Sequence, residues 1–451
     1  MNAKTNILRR TKAFIGLDAH VLATVVFRSW SILAGGATTL LIPIFLSPNQ
    51  QGYYYTFAAV LATQVFFELG LNHVLVQHAS YAAAYLQRVS ESKYEGDERW
   101  RYAILSLIKL STKWNAVMAS LCFIVLLAFG SWFFSEKGTL PTSLWLSIWI
   151  TLAFATAINL FLSARLAICE GLGEVADVAR LRLAQSIFGY ILLWLLLICN
   201  SGLWACVALP LASATGSILW LSRRRMTKSL NVETSNSHTE RAYTYRRDIF
   251  PLQWRIALSW VSGYFIFNLL TPLVFSSQGE VAAGQLGLAL TVFSAISIVG
   301  HSWISAKIPE FSSYIARNER AKLNFLFDHQ FSRAISITIL LSASFIFVAM
   351  TAGNLAPQIF HRLPPMSALV FLALSSVANT AVFSLAAYMR AHREEPLVVL
   401  SVAIALLISA SLYLVAGYGL LAIVSTYAAI NVFIALPWCF FIFRRYRWAL
   451  I

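Results

Sequence analysis

Between Asp18 and Arg88 only two side chains carry a formal charge, Arg28 and Glu68, and each sits inside a stretch apolar enough to span a bilayer. An ionised group at bilayer depth costs at least about 2.5 kcal/mol, so such groups normally line a protein-enclosed path and handle ions or substrate. Arg28 offers a guanidinium to an anion and Glu68 a titratable carboxylate. At 1.5 Å of rise per residue, Arg28 lies about 10 Å and Glu68 about 15 Å from one membrane edge, on consecutive antiparallel helices. The depths match well enough for a direct or water-bridged pair, which would offset part of the desolvation cost. Two readings follow: a static ion pair locking two helices, or an anion contact beside a proton-exchanging carboxylate.

Histidines extend this set. His73 and His78 fall near the inner end of the second apolar run and His301 at similar depth in the eighth. Imidazole titrates near neutrality, so His73 and His301 join Glu68 as ion-coupling candidates. The plainer reading is a ring bonded to a carbonyl or headgroup. Arg255, Lys307 and Arg165 lie at span ends; Arg255 is the candidate second anion contact, against the alternative that such cations snorkel to lipid phosphate.

Other chemistry is not encoded. The chain lacks Gly-x-x-x-x-Gly-Lys-Ser/Thr, His-Glu-x-x-His and Gly-x-Ser-x-Gly, so neither an ATP-driven pump nor a recognisable enzyme is expected. Cys122, Cys169, Cys199, Cys206 and Cys439 form no Cys-x-x-Cys and read as packing residues, with no metal or cofactor.

The elements that position these residues follow from composition. Of 451 residues, 59% are hydrophobic and only 12% charged, the signature of a polytopic membrane protein. A span needs roughly 20 mostly apolar residues. Twelve such runs occur: 21–46, 53–76, 115–134, 144–167, 183–199, 203–221, 256–275, 281–304, 334–351, 366–389, 397–415 and 418–443. The expected fold is all-α with about 12 transmembrane helices; continuous runs exclude a membrane barrel.

The net charge of +15 is not a nucleic-acid footprint, because 31 of the 34 Lys and Arg fall on one side of this topology. That asymmetry places both termini in the cytoplasm. The first run is too long for a signal-peptide core and is expected to remain as a span. Residues 223–255 read as a basic cytoplasmic linker between two six-helix halves, 1–222 and 256–451. Each half opens with two spans and a charged segment, 81–114 and 310–333, which makes the halves parallel repeats. Arg101 to Trp114 reads as an amphipathic helix lying on the inner leaflet. Pro48 and Gly52 read as a short outside turn, and Tyr53 to Tyr55 as an interfacial anchor.

Arg28, Leu41-Ile-Pro-Ile-Phe-Leu-Ser-Pro48, Gln51-Gly-Tyr-Tyr54 and Phe67-Glu-Leu-Gly-Leu71 together resemble the opening of the polysaccharide transporter family, the O-antigen-type lipid-linked oligosaccharide flippases. That family shares a superfamily with multidrug and toxin extrusion transporters and the peptidoglycan lipid flippase. The resemblance is specific over about sixty residues and beyond them rests on the layout of spans. It implies two halves forming a V around a cavity. An undecaprenyl-diphosphate-linked glycan enters that cavity from the inner leaflet of the bacterial cytoplasmic membrane, and Arg28 meets its diphosphate or an acidic sugar. Guanidinium matches phosphate oxygens in bidentate fashion. Many relatives carry an acidic residue before the glycine and a basic one at the end of the second span, where this chain has Gln50 or Gln51 and Gln77 or His78.

The expected function is therefore a flippase, not an enzyme, moving a surface-polysaccharide repeat unit by alternating access. Membrane lipids and the polymerase and chain-length proteins of the pathway are its expected partners, with no nucleic acid. The alternative is an ion-coupled multidrug or small-molecule exporter of related fold.

Overall fold

The protein is represented by a computed structural model. It describes residues 19–90, 93–224, 243–355, 361–392 and 396–449, with side chains described except at 19–25, 28, 87–90, 93, 352–355 and 448–449. Among these residues the chain is almost wholly helical. Ten helices are long and apolar enough to cross a membrane; a bent pair, Pro48–Glu68 with Leu71–Ala83, makes an eleventh, and Ser29–Phe45 is a shorter apolar helix. Each matches one of the twelve expected runs. This is a multi-pass membrane protein.

The opening elements are α1 (Ala19–Phe45), α2 (Pro48–Glu68, tightened to a 3-10 turn at Ala62–Gln64) and α3 (Leu71–Ala83). Ser47 caps α2: its hydroxyl accepts from the Gln50 amide while the Gln50 side chain accepts from the Ser47 amide, with Pro48 at the first helical position. This reciprocal cap satisfies two helix-end amides and fixes where the second span starts. Gly52 therefore lies inside α2, not in the expected turn.

An antiparallel hairpin follows, β1 (Leu86–Ser90) with β2 (Lys93–Gly96). Then comes α4 (Glu98–Lys137), 40 residues without a break. The expected surface-lying helix at Arg101 to Trp114 is instead the first part of this element. No Gly or Pro interrupts those fourteen positions, and Ile104, Leu107 and Ile108 are buried against Leu71, Val74 and Leu75 of α3. Their apolar face is matched by protein, not by lipid. The next elements are α5 (Thr142–Gly171), α6 (Val175–Ile198), α7 (Ala208–Arg223), α8 (Phe250–Phe267), α9 (Leu270–Gln278) and α10 (Glu280–Ser305).

The described residues form two compact units: one within Met1–Thr38, Gln64–Trp132 and Thr142–Ala257, the other within Thr39–Thr63, Phe133–Pro141 and Leu258–Ile451. Helices α1, α2, α4 and α8 therefore divide between units along their length.

In the second unit, α2 packs face to face on α10. A Cβ built at Gly52 would lie 2.0 Å from the Glu280 carbonyl oxygen, so only glycine permits this approach. Tyr53 is fully buried at the same contact, 5.1 Å from Phe275 and 5.6 Å from Phe134 between ring centroids. Tyr55 is buried too. Neither is an interfacial anchor: the close helix contact that Gly52 allows encloses both rings. Of the cysteines, Cys122, Cys169 and Cys439 are buried packing residues as expected, whereas Cys199 is exposed, at the end of α6.

Candidate functional site

The second span is broken where its only charge lies. α2 stops at Glu68, and the next two residues are left-handed: Leu69 with φ 50° and Gly70 with φ 68°. The Leu69 amide still reaches the Val65 carbonyl at 3.0 Å, and α3 restarts with the His73 amide on the Gly70 carbonyl at 3.2 Å. The two pieces bend by 48°. A left-handed leucine costs about 1–2 kcal/mol, so tertiary packing must impose it. Gly70 supplies the means: a Cβ there would meet Ile256 Cγ2 at 2.4 Å, so the break is wedged directly under α8.

The consequence is chemical. Glu68 sits at the end of one half-helix and beside the N-terminus of the next, whose partial positive charge favours an anion. Discontinuous helices of this kind form binding sites in transporters because backbone groups left out of the helix ladder become available at membrane depth. Asn72 Nδ2 donates to Glu68 Oε1 at 2.8 Å, and Ser163 Oγ on α5 lies 3.4 Å from Asn72 Oδ1. The Ser163 hydroxyl also donates to the Leu160 carbonyl at 2.8 Å, an oxygen that accepts as well from Asn115 Nδ2 at 3.0 Å. A polar track thus runs from the break into α5. Glu68 as a whole residue is intermediate in exposure.

Arg28 lies in α1, but its side chain, and with it the expected Arg28–Glu68 pair, falls outside the described residues; the partner seen on Glu68 is Asn72. Arg255 is exposed, its guanidinium 5.7 Å from the neighbouring Trp254 ring. His73 is exposed, one turn from Gln77, whose Nε2 lies 3.0 Å from its own. His78 turns from the span to the Asp248 carbonyl at 3.1 Å. These residues and Glu68 belong to the first unit. His301 belongs to the second, where it is partly buried, 6.0 Å from the Phe383 ring, and its Nδ1 has no hydrogen-bond partner among the described residues.

Sequence reasoning missed Asn72 and Ser163, ordinary polar residues in apolar runs, and it missed the break. The available signal was Gly70 two positions after the lone carboxylate. It missed a second carboxylate as well. Glu280, at the first position of α10, is 4% exposed and accepts from Asn49 Nδ2 at 3.1 Å and from the Thr139 hydroxyl. Beside it, Gln51 Nε2 donates to the carbonyls of Gly284 at 2.9 Å and Arg362 at 3.2 Å. By hydropathy Glu280 is a span edge; burial by α2 makes it an interior group.

No family model matches the chain, and no curated protein matches it in sequence. Solved structures do match in fold. A multidrug resistance MATE family transporter of the MOP superfamily, in an inward-facing conformation, aligns with a TM-score of 0.61 at 15% identity over 93% of this chain and 95% of its own. The lipid II flippase MurJ, in an inward closed conformation, aligns with a TM-score of 0.62 at 12% identity over 94% and 86%. A MOP superfamily transporter from Pyrococcus furiosus, described as having a binding pocket of reversed polarity, gives 0.52 at 16% over 96% of both chains. The chain is therefore similar in architecture, nearly end to end, to transporters of this superfamily.

Proposed function

We propose that this protein is a flippase that carries an undecaprenyl-diphosphate-linked oligosaccharide, an O-antigen or other surface-polysaccharide unit, from the inner to the outer leaflet of the bacterial cytoplasmic membrane. The observation that carries the reading is the broken second span. It puts the Glu68 carboxylate, a half-helix N-terminus and the Asn72–Ser163 track at one point of a fold also found in a lipid II flippase. The opening segment 28–71 supports the lipid-linked substrate.

In this reading both termini are cytoplasmic, residues 223–255 link halves 1–222 and 256–451, and the halves alternate access to a cavity between them. Arg28 and Arg255 attract the diphosphate. Glu68, with His73 and His301, exchanges the coupling ion, and Asn72 positions the Glu68 carboxylate. Polymerase and chain-length proteins then receive the flipped unit.

The test is a deletion strain without a redundant flippase. Surface glycan should disappear and cytoplasm-facing lipid-linked units accumulate, both reversed by the wild-type chain; normal surface glycan would sink the proposal. The MATE-like architecture favours one competing reading, a small-molecule exporter. That reading requires drug or dye efflux to fall in the same deletion strain with surface glycan unchanged.

A further inference from the structure

A second candidate site lies apart from the helix break, in the first unit. A cleft of about 730 Å³ is lined by residues of α3 and α4, the turn after α3 and the segment leading into α8, among them His78, Tyr81, Tyr85, Trp100, Tyr243 and Asp248. Its volume falls within the usual range for small-molecule sites.

The cleft is aromatic and hydroxylic at once. Tyr85 and Trp100 stack face to face, 4.6 Å apart and within 3° of parallel. Tyr81 stands edge-on to both, at 5.4 Å from Trp100 and 6.1 Å from Tyr85. Tyr81 and Tyr85 nevertheless remain 62% and 50% exposed. Tyr243 lies 5.0 Å from the His78 ring.

Among the described lining residues, carboxylates outnumber cations. Arg247 is paired with Asp248 at 3.0 Å, and Asp97 adds a further exposed carboxylate whose Oδ1 accepts from the Arg99 amide. Among the described lining residues the one Lys or Arg side chain, Arg247, is thus matched before any ligand arrives, and the surplus is acidic, which disfavours phosphate. A trimethylammonium group would suit an aromatic cage and the carboxylates, but it would fill a small part of this volume and leave the amide and imidazole of the rim, Gln77 and His78, without a bond to it. A pyranose fits both features. Its C–H face is apolar and matches a flat ring, while its hydroxyls ring the edge, where carboxylate, amide, guanidinium and imidazole groups can bond them.

We propose that this cleft binds a neutral pyranose unit through the Tyr85–Trp100 stack. Resting on the flippase reading, the cleft is a docking point for the sugar portion of the carried glycan, separate from the site at Glu68.

The purified full-length protein in nanodiscs is titrated with methyl pyranosides of gluco, galacto, manno and N-acetylgluco configuration, observed by saturation-transfer NMR. Inorganic phosphate and phosphatidylglycerol-containing nanodiscs are the comparison probes. At least one pyranoside should receive saturation, strongest at its ring C–H protons. Tyr85→Ala should weaken that binding about threefold or more, Tyr81→Ala should weaken it as well, and Tyr85→Phe should retain it. Thermal melts matching wild type establish that the variants are folded.

Absence of transfer to every pyranoside, transfer unchanged in Tyr85→Ala, or competition by phosphate or phosphatidylglycerol would overturn the proposal. Complementation of the deletion strain separates the two claims. If wild type restores surface glycan while pyranosides bind Tyr85→Ala as they bind wild type, only the cleft assignment fails. If wild type restores nothing, the flippase reading itself fails.

Discussion

Asn72 Nδ2 lies 2.8 Å from Glu68 Oε1, across the two left-handed residues that divide the second span. The bond spans four positions but bridges two helices, so it reports on the break itself. Asn72→Ala removes the donor and leaves the carboxylate short of a partner, a loss of about 1–3 kcal/mol. A lowered melting temperature with reduced complementation is expected. Glu68→Gln keeps an acceptor for Asn72 and removes the charge, so it should retain stability while transport loses its pH dependence. A Glu68→Gln variant that fails to accumulate in membranes would assign Glu68 a structural role only.

Gly70 is constrained twice, by φ 68° and by Ile256, whose Cγ2 lies 2.4 Å from where an added Cβ would sit. Gly70→Ala should destabilise by at least about 2 kcal/mol, combining left-handed strain with overpacking. Ile256→Ala in the same chain relieves only the packing component. Partial rescue of the melting temperature is the expected result; full rescue would show that the backbone conformation is unstrained.

Gly52 and Gly36 form a matched pair for testing helix contact. A methyl at Gly52 meets the Glu280 backbone, which cannot rotate away, whereas one at Gly36 has nothing within 4 Å. Gly52→Ala should therefore strongly reduce folded yield. Gly36→Ala should be neutral or stabilising by up to about 1 kcal/mol, the helix-propensity gain. Fluorescence-detected size-exclusion yields of the two variants make the comparison.

Glu174 joins three elements. It is 4% exposed, accepts from the Tyr94 hydroxyl at 2.7 Å, and pairs with Arg224, which also reaches Asp177 at 3.1 Å and lies 4.1 Å over the Trp220 ring. Removing one partner of a buried pair costs about 3–5 kcal/mol, and a neutral hydrogen bond about 1 kcal/mol. Glu174→Ala should thus lower thermal stability several times more than Tyr94→Phe. Equal effects would mean that the ion pair contributes little.

The spans were legible because each is a long uninterrupted apolar run, and no solvent can satisfy a backbone at that depth except through a helix. Their ends were less so: hydropathy stops near Asn115, but α4 begins at Glu98, since Ile104, Leu107 and Ile108 bury against α3. Tyr53 misled for the same reason. An aromatic next to a span end reads as a headgroup anchor until another helix approaches through Gly52.

Sequence alone determined that the chain is a helical multi-pass membrane protein, and it singled out Glu68, because the cost of an intramembrane charge depends on residue type and depth. Only tertiary structure decided that Glu68 ends a half-helix, that Asn72 and Ser163 accompany it, and that Glu280 is interior. Those outcomes depend on two backbone dihedrals and on close approaches at Gly70 and Gly52, which hydropathy along the chain does not encode.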